Sequence, residues 1–241
     1  MRIAVVSDIH GNLTALDAVI ADLKDVSPDL VVHGGDLLGG GGGHQAEVVD
    51  RVRDLGWPGV HGNVDEILWN PGKVADHLQG PAFERLREIV SQHAAATLAG
   101  IGDERLNWLR VLPLRWSGNG LTVVHAGPDN VWHSPSADAT DDELVNTYGA
   151  LGSRRVVYGH IHRAFVRRLP AFTLANSGSV TLSHDGDPRS AYAVVDGDEI
   201  TIRRVEYDIE REARKLFQVQ YPHAAWIADM LRKGTYVPPP E

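Results

Sequence analysis

Short apolar runs alternate with helical stripes along the first sixty residues. Ile3, Ala4, Val5 and Val6 form an uninterrupted run rich in β-branched residues, which predicts a buried strand. Leu13, Leu16, Val19, Ile20 and Leu23 then recur at helical spacing, with Asn12 placed to cap the helix. Residues 30–33 predict a second strand, ended by Gly34-Gly35-Asp36. Val48, Val49, Val52 and Leu55 mark another helix. A short strand is expected around 59–61, stopping at Gly62-Asn63. Strand and helix alternating at this spacing predict a parallel α/β core. Residues 39–43 are all glycine and read as a flexible loop.

The pattern changes between 66 and about 112. Phe83, Leu86, Ile89 and Val90, then Leu106 and Leu109, predict two helices inserted over one side of the sheet. A strand follows at 121–125, a helix at 141–151 and a strand at 156–158. Further strands are predicted at 164–168, 172–175, 190–196 and 199–204, with Gly197-Asp198 as a hairpin turn. The tail carries two helical stripes, Ile209, Ala213, Leu216 and Phe217, then Ile227, Met230 and Leu231. It ends in prolines 238–240. These stripes serve either to pack on the sheet or to meet a partner or a second copy of the chain. No repeat or linker divides the sequence, so the expected organisation is a domain over 1–205 with a helical extension over 206–241.

Composition narrows the chemistry. There is no cysteine among 241 residues, which excludes disulfides, thiolate metal sites and cysteine nucleophiles. Any metal must be held by His, Asp, Glu, Asn or backbone, and twelve histidines are available. Lysine and arginine number 23 against 32 acidic residues, a net charge of −9, which disfavours nucleic acid and acidic membranes as partners. No apolar run approaches the ~20 residues of a membrane span. A soluble, cytoplasmic protein is expected.

The polar residues cluster where the predicted strands end: Asp8 and His10, Asp36, Asn63 and Asp65, His125, then His160 and His162. Ligands of open α/β sheets bind beyond the carboxyl ends of their strands, so these groups are expected to form one site. With Asp65 set aside as a helix cap, the two carboxylates Asp8 and Asp36, four imidazoles and one amide oxygen are too many ligands for one first-row ion. They suit two ions sharing a carboxylate. Paired metals ~3.5–4 Å apart act as a clamp for in-line attack at phosphorus, and mixed N/O donors suit manganese, iron, cobalt, nickel or zinc.

The segments SDIHGN, GGD, GNVD, VVHAG and GHIH, in this order, resemble the calcineurin-like metallophosphoesterase superfamily, and within it the small bacterial and archaeal phosphodiesterases. The resemblance extends to about residue 205. It implies a four-layer α/β/β/α sandwich with a dimetal site at its edge. It assigns Asp8, His10 and His162 to one metal and Asn63, His125 and His160 to the other, with Asp36 bridging. It implies that a metal-bridging hydroxide attacks phosphorus without a phosphoenzyme, on a small phosphorylated substrate, with manganese the expected metal. Dinucleoside polyphosphatase, protein phosphatase, nuclease and non-catalytic scaffold are the alternatives within the superfamily.

At residue 64 many members of the superfamily place a histidine that protonates the leaving group, and this chain has valine. The proton must then come from water, or from His61 or His44. Asn12 and Trp132 are the candidate substrate contacts, with helix capping the competing role for Asn12. Asp65 is expected to cap the helix that follows it. His33 and His61 precede motif glycines and suit supporting or packing roles. His77, His93, His184 and His223 have no local motif and read as structural or surface residues.

Overall fold

Successive residues of the first strand serve two different cores. In β1 (Arg2–Val6), Ala4 and Val6 join one buried cluster while Ile3 and Val5 join another, as the two-residue period of a strand requires. The computed structural model describes residues 1–240. In it β1 is followed by α1 (Leu13–Val26), β2 (Leu30–His33), α2 (Gln45–Asp54), α3 (Asn63–Ile67), α4 (Lys73–His77), α5 (Glu84–Ile101) and α6 (Asp103–Arg110). Next come β3 (Arg115–Gly118), β4 (Leu121–Val124), α7 (Asp141–Tyr148), β5 (Arg155–Tyr158), β6 (Phe165–Arg168) and β7 (Thr173–Asn176). The chain closes with β8 (Ser190–Asp196), β9 (Glu199–Val205), α8 (Ile209–Gln218) and α9 (Ala224–Lys233).

The strands form two mixed sheets, β2-β1-β8-β9 and β3-β4-β5-β7-β6. Three apolar clusters separate four layers. Ala4, Val6, Tyr192 and Val194 of the first sheet pack on Leu16 and Val19 of α1 and Val48 and Val52 of α2. Ile3, Val5 and Val32 meet Leu121, Val123, Val157 and Ala175 between the sheets. Val124, Val156, Tyr158 and Leu174 of the second sheet pack on Leu144 and Tyr148 of α7. The expected α/β/β/α sandwich is therefore present.

Three local expectations are corrected. Residues 59–61 do not form a strand; they make one isolated parallel bridge, Gly59 to His33, and the chain then turns into α3. The glycine run at 39–43 is a packed segment and not a free loop. A Cβ on Gly42 would lie 2.3 Å from the Gly11 carbonyl oxygen and 2.4 Å from the Asn12 nitrogen, and one on Gly40 would lie 2.4 Å from His93 Nδ1. β3 was not anticipated. It is a short, partly exposed edge strand joined to β4 by Asn119-Gly120, both with positive φ, a hairpin signal present in the sequence.

The stripes of the tail pack largely within the chain, although Phe217 is exposed. Leu216, Tyr221, Ile227 and Leu231 form a fourth cluster, against which Ala96 of α5 and Leu182 pack. Glu212 of α8, itself fully buried, accepts the Gly43 N–H at 2.8 Å and ties the tail to the glycine run. Among the described residues no helix is long and apolar enough to cross a membrane.

Candidate metal centre

Register brings the motif residues to one edge. Val6 pairs with His33 across β1 and β2, and Val124, Tyr158 and Asn176 align across β4, β5 and β7. These strands run parallel, so their carboxyl ends coincide. The loops leaving them carry Asp8 and His10, Asp36, His125, and His160 with His162. Asn63 comes from elsewhere, as the first residue of α3. The two sheets are joined at this edge: His125 Nδ1 lies 2.9 Å from the Gly34 carbonyl, and the Val180 N–H donates to Ser7 O at 3.0 Å.

The structure brings all seven residues together. Donor atoms of Asp8, His10 and His162 lie within 4.8 Å of one another, as do those of Asp8, Asp36 and His125. Asn63 Oδ1 is 2.9 Å from both His125 Nε2 and His160 Nδ1. Asp36 Oδ2 stands between the two groups, 3.8 Å from His10 Nε2 and 3.5 Å from His125 Nε2.

Holding them there strains the backbone. Asp8, His10, Asp36, His160 and His162 have φ of 59°, 51°, 49°, 67° and 55°. Left-handed conformations cost L-residues roughly 1–2 kcal/mol each, and such strain concentrates at functional sites. Rungs between the first two loops hold part of it: Asp8 N to Gly35 O, His10 N to Asp36 O and Gly11 N to Leu37 O, at 2.8–3.0 Å.

The imidazole tautomers follow from their outer contacts. His10 Nδ1 lies 3.1 Å from Leu38 O, His162 Nδ1 2.7 Å from Leu182 O, and His125 Nδ1 2.9 Å from Gly34 O. A carbonyl only accepts, so each Nδ1 carries the hydrogen and each Nε2 presents a lone pair. The Nε2 atoms of His10 and His162 are nevertheless 3.2 Å apart, and His125 Nε2 faces the Asn63 carbonyl oxygen. Opposed lone pairs at these distances need a cation or a proton between them. This donor set fits divalent metal ions.

Charges at Asp8, His10, His125 and His160 agree, while Asp36 and His162 shift the other way, toward their protonated forms. Burial, then the neighbouring His162, pushes His10 down to about 3, and burial with His125 does the same to His160. Both stay neutral at pH 7, the form that binds metal. Burial also lowers His125. Burial opposes the charged form of Asp8, but the surrounding imidazoles, His162 foremost, outweigh it and hold Asp8 well below the usual carboxylate range. Asp36 is raised by its burial and by the charge of Asp8. Burial opposes protonation of His162, yet Asp8, 3.1 Å away, holds it above its ordinary value.

A family model for the calcineurin-like phosphoesterase superfamily domain matches residues 1–199. The chain belongs to this superfamily. It is 29% identical over 259 residues to uncharacterized protein MJ0912 of Methanocaldococcus jannaschii, covering 96% of this chain and 98% of that one. Among solved structures it is similar to a metallophosphoesterase from Sphaerobacter thermophilus, at 26% identity and a TM-score of 0.79, with 98% and 99% of the two chains covered. It shares the fold of hypothetical protein PH1004 from Pyrococcus horikoshii OT3, at 16% identity and a TM-score of 0.80, again over 98% and 99%.

The other candidates in this calcineurin-like chain take different places. Asn12 is buried, and its Oδ1 accepts the Ala15 N–H at 2.9 Å as the cap of α1, so no surface is left for the substrate contact considered for it. Asp65 accepts from Gly62 N at 3.0 Å at the start of α3, and also from Leu38 N at 3.2 Å, so it fixes the loop after Asp36 as well as its own helix. His61 directs Nδ1 to Leu112 O at 2.9 Å and packs edge-on against Trp69. His44 precedes α2 with Nδ1 3.5 Å from Glu47. Neither ring is hydrogen-bonded to a residue of the ligand cluster.

Trp132 lines a cavity with Asn63 and His160, stacks on His77 at 4.4 Å, and donates from Nε1 to Glu66 at 2.6 Å. His33 is buried behind the site. Two histidines without a motif are drawn in. His184 stacks on His162 at 4.7 Å, and His93 lines a cavity with His10. No local sequence signal marks either one, because α5 and the segment after β7 reach the site only through tertiary packing.

Proposed function

We propose that this chain is a two-metal phosphoesterase that hydrolyses phosphodiesters and small organic phosphates, diesters foremost. The opposed lone pairs at His10–His162 and His125–Asn63 carry this reading, because neutral imidazoles and carboxylates converge there on space suited to cations. Asp8, His10 and His162 would hold one ion, and Asn63, His125 and His160 the other. Asp36 would serve both, supported by the approach of its Oδ2 to His10 and His125. Mixed N/O donors suit manganese, iron, cobalt, nickel and zinc alike, and manganese is the one the family resemblance implies.

When bound, the ions supply charge neutralisation at the phosphoryl oxygens and a lowered pKa for solvent water, the attacking species in this reading. The chain contributes the rest. Carbonyls of Leu38, Leu182 and Gly34 fix the imidazole tautomers, so the donors need no rearrangement during reaction. Two carboxylates against two divalent ions leave roughly +2 at the site, which suits a phosphodiester monoanion. Water oxygen bonds to phosphorus, one ester P–O bond breaks, and the departing alkoxide takes its proton from solvent, since Val64 has none to give.

The test is elemental analysis of the purified protein, coupled to a panel of mono- and diesters with added manganese. The expected result is two transition-metal ions per chain and metal-dependent hydrolysis, faster on an aryl diester than on the matching monoester. A metal-free protein that gains no activity with any of the five metals would overturn the reading.

A further inference from the structure

Two cavities flank Val64, and they lead to opposite ends of the ligand cluster. The first, about 140 Å³, reaches His10 and is walled by Val64, Ile89 and His93, with Trp226 and Met230 of α9. The second, about 330 Å³, reaches Asn63 and His160 and is walled by Leu86 and Trp132. Val64, Ile67 and Val90 line both. The walls are largely hydrocarbon, and neither cavity has a lysine or arginine among its lining residues. Gly40 helps keep the first open, since a Cβ there would meet His93.

We propose that the substrate is a phosphodiester with two uncharged, apolar ester groups, one lodged on each side of Val64. This rests on the phosphoesterase reading above and narrows its substrate class. A phosphorus centre at the ligand cluster would have one cavity beyond His10 and the other beyond Asn63 and His160, matching the two arms of a diester. The first cavity is close to the roughly 150 Å³ that accepts a benzene ring in an apolar core. The second takes a larger group, with the indole of Trp132 as an aromatic wall. A second phosphate in either arm would meet no lysine or arginine, only the imidazole of His93 on one side and those of His77 and His133 on the other, and desolvating it against these largely hydrocarbon walls is costly. This disfavours dinucleoside polyphosphates and nucleic acid as substrates. Pockets of this kind, apolar walls with a few convergent polar groups, are the usual form of a small-molecule site.

Phosphinates test the proposal without turnover, because their carbon–phosphorus bonds cannot be hydrolysed while their charge and shape match a diester. Calorimetry on the manganese-loaded protein should show diphenylphosphinate binding at least tenfold tighter than dimethylphosphinate, with methylphenylphosphinate between them. Ala94 lines only the first cavity. Ala94→Phe should remove most of the preference for the second phenyl group, and Ala94→Leu, a smaller plug, should remove part of it if the larger variant does not fold. Equal affinities for dimethyl- and diphenylphosphinate would overturn the proposal, as would an unchanged preference in both variants, or ADP binding tighter than diphenylphosphinate. Hydrolysis of esters without any apolar preference would defeat this inference alone. Strong diphenylphosphinate binding in a protein that hydrolyses no ester would support the pockets and defeat the hydrolytic reading.

Discussion

The Nε2 atoms of His10 and His162 face each other at 3.2 Å while both Nδ1 hydrogens are committed to backbone carbonyls. Folding brings these rings together from loops 152 residues apart, so the site is assembled against electrostatic and backbone cost. An ion that binds only the folded state should repay that cost, by about 2.7 kcal/mol at a hundredfold excess over its Kd. For a chain of this size each kcal/mol moves Tm by roughly 2–4 °C. Chelation should therefore lower Tm by roughly 5–10 °C, reversibly on return of manganese. A differential scanning measurement with identical Tm in both states would count against a metal centre here.

Asp36 Oδ2 approaches His10 at 3.8 Å and His125 at 3.5 Å, whereas Asp8 lies 3.9 Å from His10 and within 4.8 Å of His125. Asp36→Asn keeps an oxygen for the Val64 N–H, which Oδ1 accepts at 2.8 Å, but loses the charge. The expected outcome is reduced occupancy of both metal positions, read by elemental analysis, with activity falling at least a hundredfold. Retention of two ions and full activity in the variant would sink the bridging role.

The glycine run gives a sharp stability test. If 39–43 were a free loop, Gly42→Ala would be neutral. Instead the new methyl would meet backbone atoms of Gly11 and Asn12 at 2.3–2.4 Å, and overpacking of this kind costs about 1–3 kcal/mol. Gly72→Ala is the control: it has open space around it and φ of −61°, so it should be neutral or stabilise by up to ~1 kcal/mol. Urea denaturation of the two variants separates the readings.

That run shows where the sequence stops being legible. The apolar run of β1 and the strand-end motifs lay open to inspection because composition and order are local properties; the motifs led to the right edge, and the four layers followed from the family resemblance they carry. Glycine composition is equally consistent with freedom and with close packing, and only the tertiary neighbours, here Val64, His93 and Gly11, decide between them. The left-handed backbone at five expected ligands could not be read either, since Asp and His are enriched in that region but adopt it in only a minority of cases. His93 and His184 reach the site through elements distant in sequence. By contrast, Asn119-Gly120 is a local signal from which the hairpin holding β3 could have been located.

Acid should destabilise the protein through His33. Burial holds this ring down to about 3 in the folded state, against 6.5 for a free imidazole. Above pH 6.5 both states are neutral and the group contributes nothing to pH dependence. As pH falls from 6.5 toward 3, the unfolded chain takes up a proton that the folded chain refuses, so stability is lost across that window. At pH 5 the loss amounts to about 2 kcal/mol relative to pH 7.5. His33→Leu should lose about that much less over the same interval, as measured by denaturant unfolding at the two pH values. Parallel pH profiles for wild type and variant would show that His33 titrates normally.

In the proposed reaction Val64 would decide which leaving groups can be expelled. It lies beside Asn63, lines both cavities, and donates only its backbone N–H, to Asp36. His61 is bonded to Leu112 and His44 sits at the start of α2, and the imidazoles on the cavity walls are already engaged, His93 with the Pro222 carbonyl and His77 with His133. General acid catalysis is typically worth about 10²–10⁴-fold. Wild-type kcat/KM should consequently fall steeply as the leaving-group pKa rises, with aryl esters far ahead of alkyl esters. Val64→His would place a proton donor beside Asn63 at the cost of room in the cavities. It should raise kcat/KM for an alkyl diester at least tenfold and change an aryl diester much less, with metal content measured alongside to show that no ligand has been displaced. A flat leaving-group dependence in wild type would mean that an acid already operates and that valine at this position carries no kinetic penalty.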